Sequence, residues 1–317
     1  MAYRIGCAFI VLVLVIGTRP ARCQSILATQ PTVGRQRVRF TQSSPLSGLA
    51  EYCRRTRQST GAYEREGREH EYTVAEESFE LFVPEGYRDD GSYGLLVWVS
   101  PGKAGLPEDW FGVLERHKLV WICPNEAGNG RHFIVRIGLA LDAVHNMQTT
   151  HKLDPTRVYA SGFSGGGRVS SILILTYPDV FTAAVPMMGS NFYRHLPAGD
   201  GKLFQAGASK PIDVLFAKAK QRPIVLFTGE RDGNQPQTKS NYEAMQKDRF
   251  AHVSYIEVPG VGHNMPGADW FEKALTDLDV AVAASAAATR PATKPITRRS
   301  GGSTSRPITP PRPRPIR

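Results

Sequence analysis

The sequence predicts an α/β protein with a mostly parallel central sheet and helices on both faces. Three observations predict it. Short apolar runs such as L-L-V-W-V at 95–99 and L-V-W-I-C at 119–123 show no polar alternation, which is the pattern of strands covered on both faces. Ile134, Ile137, Leu141 and Val144 recur at three- and four-residue spacing, placing the apolar stripe of an amphipathic helix against a sheet. Residues 158–168 read V-Y-A-S-G-F-S-G-G-G-R, a strand-like run that breaks into glycines around one serine before a helix-compatible segment.

Taken in order, residues 1–23 carry Arg4 and an apolar core over 8–16. That core is shorter than the roughly 20 residues a membrane-spanning helix needs, so it reads as a signal peptide cleaved before Gln24, and the chain as exported. Residues 24–67, rich in Arg, Ser, Thr, Gln and Gly with weak periodicity, read as a basic flexible linker holding at most a short helix over 46–55. The α/β domain is expected over 68–280. It opens with strands at 71–76 and 78–83, followed by a buried strand at 95–100, a helix at 107–117 and a strand at 119–123. A long helix up to about residue 150 precedes the strand that carries the glycine-flanked serine. Another apolar strand at 181–188 leads into a long excursion over 192–221. Strands at 223–228 and 253–258 then alternate with helices at 241–249 and 268–278. Residues 281–317 run from alanine-rich into Pro, Thr and Arg without apolar periodicity, and read as a disordered tail.

Charge divides the same way. The formal net charge is +10, but three Arg of residues 1–23 and seven Arg with one Lys of 281–317 stand without any acid. The remaining 24–280 hold 28 basic and 29 acidic residues, so no polyanion, nucleic acid included, is steered to the domain by net charge, while the tail suits anionic surfaces. Cleavage after Cys23 would leave Cys53 and Cys123, which an exported compartment permits to pair. Cys123 ends an apolar run, where a buried free thiol is the ordinary expectation. His132, His145 and His151 lack carboxylate or cysteine companions at ligand spacing, so neither a metal nor another cofactor is predicted.

Gly162-Phe163-Ser164-Gly165-Gly166 matches G-x-S-x-G, whose chemistry requires a sharp strand-to-helix turn that lifts the serine hydroxyl out of the sheet. Two partners follow in order. Asp232 lies in G-E-R-D-G-N after the strand-like 223–228, and His263 in P-G-V-G-H-N after 253–258. Ser, Asp, His is the chain order of the α/β-hydrolase fold and differs from both the chymotrypsin and the subtilisin orders. On these motifs, and on L-D-P-T-R-V-Y leading into the turn at 153–159, the chain resembles secreted α/β-hydrolases of the polyhydroxybutyrate depolymerase and feruloyl esterase-like group. The resemblance spans roughly 69–278. It implies a metal-independent serine esterase with Ser164 as nucleophile, His263 as base and Asp232 as the orienting acid. The T-G-x-x-D pattern falls on Asp232 in preference to Glu230. Asp269 follows the histidine and is in the wrong order.

The oxyanion donors are expected at the amide of Gly165 and in the loop after the 95–100 strand. Relatives there carry a His-Gly pair, whereas this chain has Pro101-Gly102-Lys103. Proline has no N–H, so Gly102 or Lys103 must donate. Phe163 beside the nucleophile, and Phe192, Tyr193 and His195 at the start of the excursion, are the candidate substrate wall, with plain packing of a connector as the equal alternative for the last three. The substrate is expected to be a small or polymeric ester. Two other readings compete: a non-catalytic member of the fold that binds a ligand or surface, and a serine peptidase, which usually brings a propeller or large lid.

Overall fold

The computed structural model describes residues 32–65 and 70–289. The predicted signal peptide, residues 24–31, residues 66–69 and the tail from 290 onward lie outside the described residues.

The central sheet is built from β1 (Gly34–Val38), β2 (Phe79–Val83), β3 (Gly94–Val99), β4 (Leu119–Pro124), β5 (Val158–Phe163) and β6 (Ala183–Met187). After a small hairpin of β7 (Leu196–Gly199) and β8 (Lys202–Phe204), it is completed by β9 (Ile224–Gly229) and β10 (Val253–Val258). The strand order is β1-β2-β4-β3-β5-β6-β9-β10. β2 is antiparallel to both its neighbours, and every other pairing is parallel. This is the α/β-hydrolase fold.

The helices are α1 (Leu49–Thr56), α2 (Thr60–Glu64), α3 (Trp110–Arg116), α4 (Phe133–Thr150), α5 (Gly165–Thr176), α6 (Asp213–Ala219), α7 (Gln235–Lys247) and α8 (Ala268–Thr289). Every residue of β3, β4, β6 and β9 is buried, as continuous apolar runs require of a sheet with two covered faces. The two-residue period of a strand then divides the core. Leu95, Val97 and Val99 join α1, α4, α5 and α7 in one cluster. Leu96 and Trp98 join α3 and α8 in the other. In that second layer Trp110 stacks on Phe271 at 4.0 Å and meets Trp98 edge-on at 5.8 Å.

The largest departure from the sequence reading is at the N-terminus. Residues expected to be mostly linker supply an edge strand and two helices, α1 falling where a short helix was allowed. β1 pairs with β2 from Gly34↔Val83 to Val38↔Phe79. Its two arginines, read as solvated charge, reach acids: Arg37 Nε lies 2.6 Å from Glu80 Oε1, and Arg35 bonds Glu108 at 2.7 Å. In α1, Tyr52 and Cys53 enter the core, and Arg55 is 3% exposed, clamped to Asp179 and Glu51. One apolar residue in G-R-Q-R-V is too weak a signal for an edge strand, and Arg55 masks a buried helix face as polar.

The same segment changes α4. Its expected stripe is buried almost all round, because residues such as Phe40, Leu46, Tyr63 and Tyr72 pack against this layer. The Asp142 carboxylate, fully buried, accepts from the Ser44 amide at 2.6 Å and from the Tyr72 hydroxyl. Three further elements differ. The strand expected at 71–76 is extended chain ending in a 3-10 turn over Val74–Glu76. α7 begins at Gln235, with Pro236 in its first turn where a missing N–H costs nothing. α8 continues to Thr289 instead of stopping at 278, and Val282 still packs on the α3–α8 layer. Cys53 and Cys123 are free thiols, buried on opposite faces of the sheet, and no disulfide joins them.

Candidate active site

The serine turn is built by close backbone approach. Register pairs Val99 with Gly162, so the end of β3 runs directly beneath the turn. A Cβ on Gly166 would lie 1.7 Å from the Val99 carbonyl oxygen, and one on Gly162 2.4 Å from the same atom. Only glycine fits either place. The turn leaves Ser164 at φ 55° and ψ −117°, a left-handed conformation that non-glycine residues adopt where the surroundings impose it. Its amide donates to the Met187 carbonyl at 2.8 Å, and α5 starts at the next residue, turning its positive end toward the hydroxyl.

Two other strand ends bring the partners. Asp232 follows β9, its residue 4% exposed. Oδ1 accepts from the Asn234 amide at 2.9 Å and Oδ2 from the Thr228 hydroxyl at 3.2 Å. His263 follows β10 with its side chain 42% exposed. Its Nδ1 lies 2.8 Å from Asp232 Oδ1 and its Nε2 2.9 Å from Ser164 Oγ. A nitrogen facing a carboxylate carries the proton, so Nδ1–H donates to Asp232 and Nε2 is left to accept from the serine hydroxyl. Glu230 is turned elsewhere, accepting from the Gly260 amide at 2.7 Å.

The remaining candidates separate. Gly165 sits beside Ser164 at the head of α5, with the Asn129 side chain against its Cα. In the loop after β3, the Gly102 amide is occupied by Ser100 Oγ at 3.3 Å, and the same hydroxyl donates to the Lys103 carbonyl at 2.7 Å. Phe163 packs on the His263 ring at 5.0 Å. Phe192 does not reach the cleft: it is 2% exposed and packs on Tyr193 and Phe250. The Tyr193 hydroxyl is bonded to Asp248, and the exposed His195 accepts from the Ala206 amide at 3.0 Å. The excursion instead contributes Asn191 and Gly207 to a cavity of about 480 Å³ beside Ser164, which Asn129, Arg136, Arg168 and Asn234 also line. Arg168 and Asn234 stand at the ends of the serine and aspartate motifs, whereas Asn129, Arg136 and Asn191 fall in none, and each reaches the cavity from a different loop or helix. A larger cavity, about 770 Å³, borders His70 and Glu71 next to residues outside the described set, and carries no candidate residue.

An eight-stranded sheet with a reversed second strand, and a serine on the strand–helix turn of β5 and α5, are the marks of the α/β-hydrolase fold. No family model matches the chain. A curated relative, poly(3-hydroxyalkanoate) depolymerase C of Paucimonas lemoignei, is 35% identical over 72 residues, 23% of this chain and 17% of that protein. Among solved structures, a poly(3-hydroxybutyrate) depolymerase from Bordetella parapertussis is 19% identical at a TM-score of 0.43, covering 62% of this chain and 88% of that one. The feruloyl esterase module from Clostridium thermocellum is 12% identical at 0.44, covering 65% and 82%. The names fall in the polyhydroxybutyrate depolymerase and feruloyl esterase-like group that the motifs resemble. No helix among the described residues is long and apolar enough to cross a membrane.

Proposed function

We propose that the protein is an exported serine hydrolase that cleaves carboxylic esters, with Ser164, His263 and Asp232 as its catalytic triad. The observation that carries this reading is the continuous chain of hydrogen bonds from Asp232 Oδ1 through His263 to Ser164 Oγ. In the first half of the reaction Ser164 Oγ attacks the ester carbonyl carbon while its proton passes to His263 Nε2. The imidazolium so formed is balanced by Asp232. The oxyanion is met by the Gly165 amide at the α5 N-terminus and by the Lys103 amide, since Gly102 already donates to Ser100. Collapse expels the alkoxide, which takes the proton from His263 and leaves an acyl-Ser164. Water then gives a proton to His263 and its oxygen to the acyl carbon. Return of that proton to Ser164 Oγ releases the acid, so ester and water become acid and alcohol.

Ser164→Ala tests the reading. Ester hydrolysis should fall by about a millionfold and labelling by a fluorophosphonate should vanish, with the melting temperature retained. Unchanged turnover would remove Ser164 from the chemistry. A panel of acyl chain lengths beside feruloyl and acetyl-xylan esters then ranks the ester classes.

A further inference from the structure

Arg136 and Arg168 line the cavity beside Ser164, and no Asp or Glu does. Arg136 projects from α4 and is 6% exposed. Its Nε donates to the Ala127 carbonyl at 2.7 Å and its Nη2 to the Ser100 carbonyl at 3.3 Å. Arg168, one turn into α5, donates to Ser190 O, Asn191 Oδ1, Asn234 Oδ1 and Gln237 Oε1 at 2.9–3.3 Å. Every acceptor is neutral. Burial holds both guanidinium groups below their ordinary pKa, Arg136 down to about 10. The contrast lies within the same molecule, where the other buried arginine, Arg55, is paired with Asp179 and Glu51.

The Asp232 charge offsets part of the cost for Arg168, but no acid is hydrogen-bonded to either guanidinium, and neutral dipoles recover only part of the hydration lost on burial. A ligand anion recovers more, because a charge-assisted hydrogen bond is about twice as strong as a neutral one. Phe133, Val169 and Ile172 line the same space, so the remainder of the ligand meets apolar surface. We infer that the Ser164 site takes esters carrying a second, ionised acid group, and that Arg136 and Arg168 receive that group. The inference rests on the ester-hydrolase reading and specifies its substrate class.

The full chain is assayed by proton release on paired esters of matched length. Monoethyl glutarate against ethyl pentanoate places the charge on the acyl side, and 4-acetoxybutanoate against butyl acetate places it on the alcohol side. In at least one pair kcat/KM should favour the anion by about tenfold or more, and Arg136→Gln or Arg168→Gln should lower that ratio about 10- to 100-fold, the worth of one hydrogen bond to a charged group. Glutarate should also compete with neutral-ester hydrolysis by the unmodified chain, an effect that high salt weakens, and this arm needs no variant to fold. Hydrolysis that favours the neutral ester in both pairs, without inhibition by glutarate, overturns the inference and leaves the esterase reading standing. Failure to hydrolyse any of the four esters overturns both.

Discussion

Asp232 and Glu230 sit two residues apart on one turn, and their carboxylates are committed to different partners. Asp232 faces His263 Nδ1 from a buried position, whereas Glu230 accepts from the Gly260 amide at the surface. Asp232→Asn should therefore lower turnover by about four orders of magnitude, by favouring the wrong imidazole tautomer and removing the charge that balances it. Glu230→Gln should change it only mildly, and steady-state rates on one small ester compare the two; the reverse ranking would transfer the acid's role to Glu230. Ser164, Asp232 and His263 were legible in the sequence because each stands in a short local pattern at a strand's end. The cavity wall was not. Arg136, Arg168, Asn129 and Asn191 converge only after the sheet has formed, and aromatic residues at the start of the excursion were a misleading guide because packing against Tyr193 and Phe250 draws Phe192 inward.

Among the elements, β3, β4, β6 and β9 were legible from apolar runs, since a strand buried on both faces has few polar residues to dilute the pattern, and β5 from the glycine-flanked serine at its end. β1 was not, because an edge strand needs few apolar residues; α1 was legible as a short helix but not as part of the core, because Arg55 is buried through its ion pairs. Those pairs fasten α1 to the loop after α5. Burial raises the Asp179 carboxyl, but hydrogen bonds and charge from Arg55 outweigh it and leave it lowered. Glu51 is lowered chiefly by Arg54, with Arg55 adding to the effect. Carboxylates depressed in the folded state contribute stability that is fully present above the unfolded value, about 4, and is lost as pH falls through the folded values. Arg55→Met should accordingly cost about 2–3 kcal/mol near neutral pH, less than a fully sealed pair because Asp179 is partly exposed. Urea unfolding of both chains at a series of pH values should show the difference shrinking in acid. A difference that grows there would contradict the clamp.

Over the whole of the described molecule, its first and last segments embrace the sheet further than composition implied. α8 runs to Thr289, with Val282 against the α3–α8 layer and Ser285 reaching the Gln221 carbonyl at 3.3 Å. A chain ending at Val280 should melt lower by a few degrees than one ending at Thr289, the shift expected for about 1 kcal/mol in a domain of this size. Calorimetry on the two chains checks it, and equal melting temperatures would show that the last turns contribute nothing. The net charge gives no guide to this boundary, since the helix ends among alanines before the arginines begin. The two thiols carry a further consequence. Cys53 lies in the layer that the N-terminal segment closes and Cys123 at the end of β4 in the opposite layer, and burial raises the pKa of both. Neither reacts as a thiolate while its layer is shut. With Cys7 and Cys23 replaced by serine, the chain carries its own pair of reporters: an alkylating reagent would read the opening of each side of the sheet separately, and so time which side of the fold comes apart first.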